Sequence, residues 1–406
     1  MKTEPERLPS DQDASGRSVG DAEKRLVEEV LDSGTLNCTR GTRVRDFEGR
    51  FARKLGVPFC RAVTSGTAAI HSAVAAIDPE PGDEIVTSPI TDMGAITPIL
   101  YQSAIPVFAD VDPVTCNVTV ETISRRLSRR TRAVIVTHLF GRSCDMDPIL
   151  ELCGGRGIPV IEDAAQAYLA TDKGRLAGTM GTIGCFSLQQ GKHITAGEGG
   201  IVVCHDEDLF RRLRLFADKG WGYGDPEPDH EFLALNYRMT ELQGAVALAQ
   251  LDKLDAFVQR RIRVAARLSE AIAGVEGVSP PERVPGSRHV YWRYPLRVDG
   301  AAGGADALGA KLIELGVACA PRYIKRLAFE CRILRERRTF GRSRFPFAGE
   351  HRRGDPEVVY DKRDTPAAVR ALAELVVLPL NERYDDGHAD FVASAIREAR
   401  ARLGGL

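Results

Sequence analysis

The chain carries almost no excess of charge of either sign: 55 Lys and Arg stand against 56 Asp and Glu, a net charge of −1. A nucleic-acid partner held by the overall field is therefore not expected. Long apolar runs are missing too, none reaching the ~18–20 residues that span a bilayer, so no membrane partner is expected. Residues 1–17, MKTEPERLPSDQDASGR, lack the apolar stretch of a signal peptide and read as a disordered polar leader. The nine cysteines are scattered singly, with no C-x-x-C pair and no cluster with His at metal spacing. Neither disulfides nor a metal site is expected, and the usage fits packed thiols in a reducing cytoplasm. Lysine is scarce, ten of the 55 basic residues, so a lysine in unusual surroundings stands out.

What is present is a chain of 406 residues, 43% hydrophobic, enough for a large core and a smaller second lobe. Helical patterns come first, at Asp21–Asp32, ended by Gly34, and at Val44–Leu55, where Phe47, Phe51 and Leu55 share one face. Short apolar runs then alternate with amphipathic ones. Arg61–Thr64 precedes a helix from Thr67, Glu84–Thr87 one near Gly94, Ile105–Ala109 one at Val120–Leu127, and Ala133–Val136 one at Met146–Cys153; Ile158–Ile161 closes the series. This alternation predicts an α/β fold with a mostly parallel sheet covered on both faces. Around Gly181–Cys204 the pattern becomes short strands separated by glycines, and a long helical stretch, Thr240–Ala273, follows. A second α/β pattern comprises strand Tyr291–Val298, helix Ala305–Leu315, strand Val317–Ala320 and a terminal helix Ala389–Leu403. The expected division is a large domain at 18–255 and a small C-terminal domain at 256–406. Arg332–Arg363, between strand Val317–Ala320 and the terminal helix, is Arg-rich and irregular, a functional or mobile loop.

Four segments carry candidate chemistry, all at or near predicted strand ends, where open α/β sheets place ligands. Thr64-Ser65-Gly66-Thr67 opens a helix, whose unpaired N–H groups and positive dipole end suit a phosphate; an ordinary N-cap is the plain alternative. In Ile158–Gln166 an apolar strand delivers Glu162 and Asp163, and Asp163 either caps the next helix or keeps a ring nitrogen protonated. In Gly184–Gly200, Lys192 lies between an apolar strand and a glycine-dense turn. A desolvated lysine amine is a nucleophile whose signature chemistry is a Schiff base, whereas a lysine in a flexible turn is usually only exposed. His193 beside it reads as a packed or solvent-facing residue. In Asn236–Gln243, Thr240 and Gln243 form a capping box, which leaves Asn236 and Arg238 without a required task. A phosphate turn, then an acid after a later strand, then Ser187 with Lys192 is the order of parts that pyridoxal 5'-phosphate needs.

At these residues the chain resembles the DegT–StrS sugar and cyclitol aminotransferases. The likeness runs from about Gly41 to Asp255 through R-D-F-E, T-S-G-T-A-A, P-V-F-A-D-V-D, H-L-F-G, I-E-D-A-A-Q, C-F-S, G-E-G-G and N-Y-R-M-T-E-L-Q. The resemblance implies the aspartate-aminotransferase-like fold, type I of the pyridoxal-phosphate enzymes. It implies Lys192 as the Schiff-base lysine, forming the internal aldimine, and Asp163 at the pyridine nitrogen. Gln166 would stand near the ring hydroxyl, with Ser65, Gly66, Thr67 and Ser187 on the phosphate. Asn236 would reach the phosphate across the interface of a homodimer with shared sites. The family's aromatic ring over the cofactor is missing from Ser88–Gly94, where Asp92 or Met93 takes its place, and Phe340–Phe347 has no assignment. Ser187-Leu-Gln189-Gln190-Gly-Lys192 is more similar to the branch acting on inositol-type ketones than to sugar-nucleotide members. The implied reaction moves an amino group from L-glutamate or L-glutamine to a keto sugar or keto cyclitol, and Arg238 is the candidate for the donor's carboxylate. A dehydratase is disfavoured, since those members carry His where Lys192 stands. A pyridoxal-phosphate lyase and a non-catalytic regulatory homologue stay open.

Overall fold

A computed structural model of the protein describes residues 8–300 and 303–404. Its main sheet has seven strands in the order Phe59–Val63, Gly200–Cys204, Ile183–Ser187, Val160–Asp163, Thr131–Thr137, Glu84–Thr87, Ile105–Phe108. The last five are mutually parallel, and Gly200–Cys204 runs antiparallel to both its neighbours. These strands are continuous Val/Ile runs because helices cover both faces: Ile85, Val134, Ile135, Ile161 and Ile183 are fully buried. Each such side chain contributes roughly 1.5–3 kcal/mol relative to exposure.

The helices follow the sequence pattern closely at their starts. Asp21–Ser33 ends where Gly34 takes φ 67°, and Arg43–Leu55 ends where Gly56 takes φ 71°, the left-handed conformation that costs glycine least. Phe47 and Phe51 are fully buried. The stretch expected as one helix over Thr240–Ala273 is instead two, Glu241–Leu251 and Leu254–Ala271, broken at Asp252–Lys253. The two apolar stripes are each helical, and the chain turns where two charged residues reach the surface. A helix at Glu207–Phe216 was not anticipated.

A second, antiparallel sheet is ordered Val278–Ser279, Arg293–Val298, Leu375–Pro379, Ala320–Pro321. Helix Gly304–Glu314 packs on it, and Asp386–Gly404 packs against that helix and against Leu254–Ala271. The Arg-rich stretch is tied down rather than loose: Phe347 and Arg352 are buried, and the Tyr360 hydroxyl donates to Pro106 O at 2.8 Å.

The expected disordered leader needs correction over residues 8–17; residues 1–7 lie outside the described residues. Asp11 and Arg17 are buried, and Asn381 Nδ2 donates to Pro9 O at 2.8 Å. The segment is polar because it pairs with buried charges: Arg17 meets Glu382 at 3.3 Å and Asp11 meets Arg293 at 2.6 Å. Among the described residues, no helix is long and apolar enough to cross a membrane, and all nine cysteines are free.

Candidate active site

Several strand ends converge on one rim of the main sheet. Register places Val63 and Ser187 opposite Gly200, Asp163 opposite Cys185, and Thr137 beside Asp163. The residues that follow these strands therefore share the crevice where parallel sheets bind ligands.

The cradle is built on the helix Gly66–Ile77. Ser65 caps it, its Oγ accepting from Ala68 N at 3.0 Å. The first backbone bond to the helix is made by Ala69 N, so the N–H groups of Gly66 and Thr67 precede the ladder and are available to an anion. A Cβ on Gly66 would stand 2.7 Å from Ser187 Cβ, and one on Gly200 would stand 2.0 Å from Ser65 O. Only glycine lets these backbones approach so closely around the helix N-terminus. The turn Met93–Ala95 abuts it, because a Cβ on Gly94 would lie 2.6 Å from Thr67 Oγ1. Asp92 caps that turn through Gly94 N at 2.7 Å and is exposed.

Lys192 faces this cradle from a tight turn. Its N–H donates to Gln189 O and its own carbonyl accepts from Arg17 Nη1, both at 2.9 Å. Its Nζ lies 4.4 Å from the centroid of the Trp292 ring, whose Nε1 donates to Gly191 O at 2.7 Å. Burial brings the amine down to about 8; nearby Asp163 opposes that fall and Arg293 adds to it. Burial pushes the Asp163 carboxyl up, against a bond from Ala165 N at 3.1 Å and the nearby charge of Lys192. Asp163 is positioned from behind. Its carbonyl accepts from His138 N at 3.0 Å, and the adjacent Glu162 binds His138 Nε2 at 2.8 Å. Burial works against the Glu162 charge, but His138 and the N–H groups of Gly181 and Gly178 hold it below the ordinary carboxylate range.

Gln166 accepts from Phe140 N at 2.8 Å and lies against Tyr323. Tyr323 sits in a strained turn where Arg322, Tyr323 and Lys325 have φ of 58°, 46° and 62°, conformations that cost a non-glycine residue. His193 is fully buried, its Nε2 on Val290 O at 3.2 Å, a packed residue as expected.

The structure thus brings together Ser65, Gly66, Thr67, Asp92, Asp163, Gln166, Ser187 and Lys192. Asn236 and Arg238 lie beside this group: Arg238 bridges to Val63, Asn236 bridges to Asp218 and is exposed, and the Arg238 guanidinium is ion-paired with Asp218. The sequence reading missed Asp11, Arg17, Trp292, Arg293 and Tyr323. Tyr291–Val298 was legible only as a strand, and nothing in its spacing marks Trp292 and Arg293 as neighbours of a lysine a hundred residues away.

These parts fit pyridoxal phosphate: an anion cradle closed by two glycines, a buried carboxylate, and a desolvated amine whose charge that carboxylate influences. Comparisons agree. The model of the DegT/DnrJ/EryC1/StrS aminotransferase family matches residues 17–354. GDP-perosamine synthase of Caulobacter vibrioides is 35% identical over 305 residues, 74% of this chain and 81% of that protein. The spore coat polysaccharide biosynthesis protein SpsC of Bacillus subtilis is 31% identical over 397 residues, 94% and 95% of the two chains. The crystal structure of the aminotransferase TlmJ from Streptoalloteichus hindustanus superposes with a TM-score of 0.81 at 31% identity, over 96% of this chain and 98% of that one. The chain belongs to the DegT/DnrJ/EryC1/StrS family and is a pyridoxal-phosphate-dependent aminotransferase of fold type I.

Proposed function

We propose that the protein moves the amino group of L-glutamate or L-glutamine to the keto carbon of a sugar, working in the cytoplasm as a homodimer with shared sites. The observation that carries this reading is the Lys192 amine, desolvated and lowered to about 8, close to Asp163 and next to the Ser65–Thr67 cradle. A sugar acceptor is supported by relatives whose names concern GDP-perosamine and a coat polysaccharide.

When bound, pyridoxal phosphate supplies a ring that can delocalise a carbanion. The chain supplies the rest. The N–H groups of Gly66 and Thr67, with the Ser65 and Ser187 hydroxyls, would hold the phosphate, Asp163 would keep the ring nitrogen protonated, and Gln166 would stand near the ring hydroxyl, with Asp92 nearby. Lys192 would anchor the cofactor, and its freed Nζ would take a proton from the substrate carbon and later return one, as base and then acid. Asn236, exposed on its own chain, reaches the phosphate of a second copy. The large lobe to residue 255 presents these groups, and the small lobe from 256 supplies Trp292, Arg293 and Tyr323.

The test is the visible absorption of cofactor-loaded protein with each donor, followed by mass spectrometry of reactions with keto sugars and keto cyclitols. A band bleached by glutamate or glutamine, together with an aminated sugar, is expected. An aminated cyclitol would move the acceptor to the inositol-type class that Ser187–Lys192 resembles. A band unchanged by every donor would overturn the reading in favour of a lyase or an inactive homologue.

A further inference from the structure

Arg238, the arginine marked for a donor's carboxylate, is occupied by Asp218. A guanidinium that stands beside the reactive lysine belongs to Arg293. Its Cζ lies 4.6 Å from the centroid of the Trp292 ring, the same ring that Lys192 Nζ approaches at 4.4 Å. A Cβ on Gly191, the residue before Lys192, would stand 3.5 Å from Arg293 Nη2.

The guanidinium is half committed. Nη1 pairs with Asp11 at 2.6 Å and donates to Trp292 O at 3.3 Å. Among the described residues Nε and Nη2 make no hydrogen bond or ion pair, and the side chain is 16% exposed. Arg17 and Arg261 stand in the same charged cluster and each pairs with Glu382 at 3.3 Å; Arg17 also leaves Nε and Nη2 without a partner, but its side chain is 3% exposed against 16% for Arg293. One planar edge, carrying two N–H groups side by side, is therefore left open toward the Lys192 turn. That edge matches a carboxylate in a bidentate fork, a geometry a lysine cannot reproduce. The other edge and the plane are fixed, so little side-chain freedom is lost on binding.

We propose that Arg293 receives the carboxylate of the amino-acid donor on its Nε/Nη2 edge, with Asp11 and Trp292 holding the guanidinium in register. Arg293 is then a substrate-binding residue and Asp11 a positioning residue, a role for the N-terminal segment beside a lysine more than 170 positions away. This rests on the reading above that the donor is an amino acid.

The test uses glutarate, a dicarboxylate with no amino group, titrated by calorimetry into cofactor-loaded protein. Arg293→Gln is expected to weaken glutarate roughly tenfold or more, and Arg293→Lys to recover only part of that loss. Asp11→Asn should weaken it by about two- to fivefold while the visible cofactor band is retained, which separates positioning from misfolding. In single turnovers with L-glutamate, Arg293→Gln should raise the half-saturating donor concentration by a similar factor and change the rate at saturation less. Equal glutarate affinity in wild type and Arg293→Gln would overturn the proposal. So would a wild type that binds no glutarate, or a loss confined to Arg238→Gln. Arg293-dependent glutarate binding in a protein that no donor discharges would sustain the carboxylate site and remove the aminotransfer reading instead.

Discussion

An amine that attacks a carbonyl must shed its proton near neutral pH, and burial of Lys192 favours that loss by disfavouring its charge. In cofactor-free protein its trinitrophenylation by trinitrobenzenesulfonate, followed by peptide mapping, should rise with pH through a midpoint of about 8. Asp163 holds the ammonium up, so Asp163→Asn should move that midpoint further down; an unchanged midpoint would show that the two groups do not interact. Lys192→Ala should lower transamination by roughly a thousandfold or more while circular dichroism stays native. Retained turnover would remove Lys192 from the chemistry.

At the scale of elements, the cradle depends on backbones that touch. Gly66→Ala would drive a methyl to 2.7 Å from Ser187, and Gly200→Ala one to 2.0 Å from Ser65 O. Each should lower stability by roughly 1–3 kcal/mol, read as a fall in melting temperature, and should weaken retention of pyridoxal phosphate in dialysis. A variant that kept both would show that the rim is softer than these contacts imply. The rim itself was legible in the sequence, because Val/Ile runs announce buried parallel strands and the residues after them are small and hydroxylated. The second sheet was harder. Leu375–Pro379 is as apolar as any main-sheet strand, but it follows a helix that the Arg-rich stretch obscured. The break at Asp252–Lys253 escaped because two helices in tandem keep the same period. Trp292, Arg293 and Asp11 escaped for a different reason: local patterns carry no information about which distant side chains meet. The polar 8–17 segment was read as solvated because its partners, Arg293 and Glu382, lie in the last third of the chain.

At the scale of the molecule, Asn236 is exposed and presents an amide that its own chain leaves at the surface. If the sites are shared, Lys192→Ala and Asn236→Ala chains, each inactive alone, should regain up to about a quarter of wild-type activity when co-expressed, because some mixed dimers contain one intact site. Light scattering should give twice the chain mass of 44.3 kDa. Absence of complementation in a confirmed dimer would confine each site to one chain. The N-terminal clasp carries a consequence for how the enzyme is born. Arg17 holds the Lys192 carbonyl and pairs with Glu382, 365 residues further along. A ribosome adding ~5–20 residues per second needs on the order of tens of seconds to cover that distance. Through that interval the lysine turn exists without its final brace, and Arg17 can gain its Glu382 partner only once the end of the chain has left the ribosome.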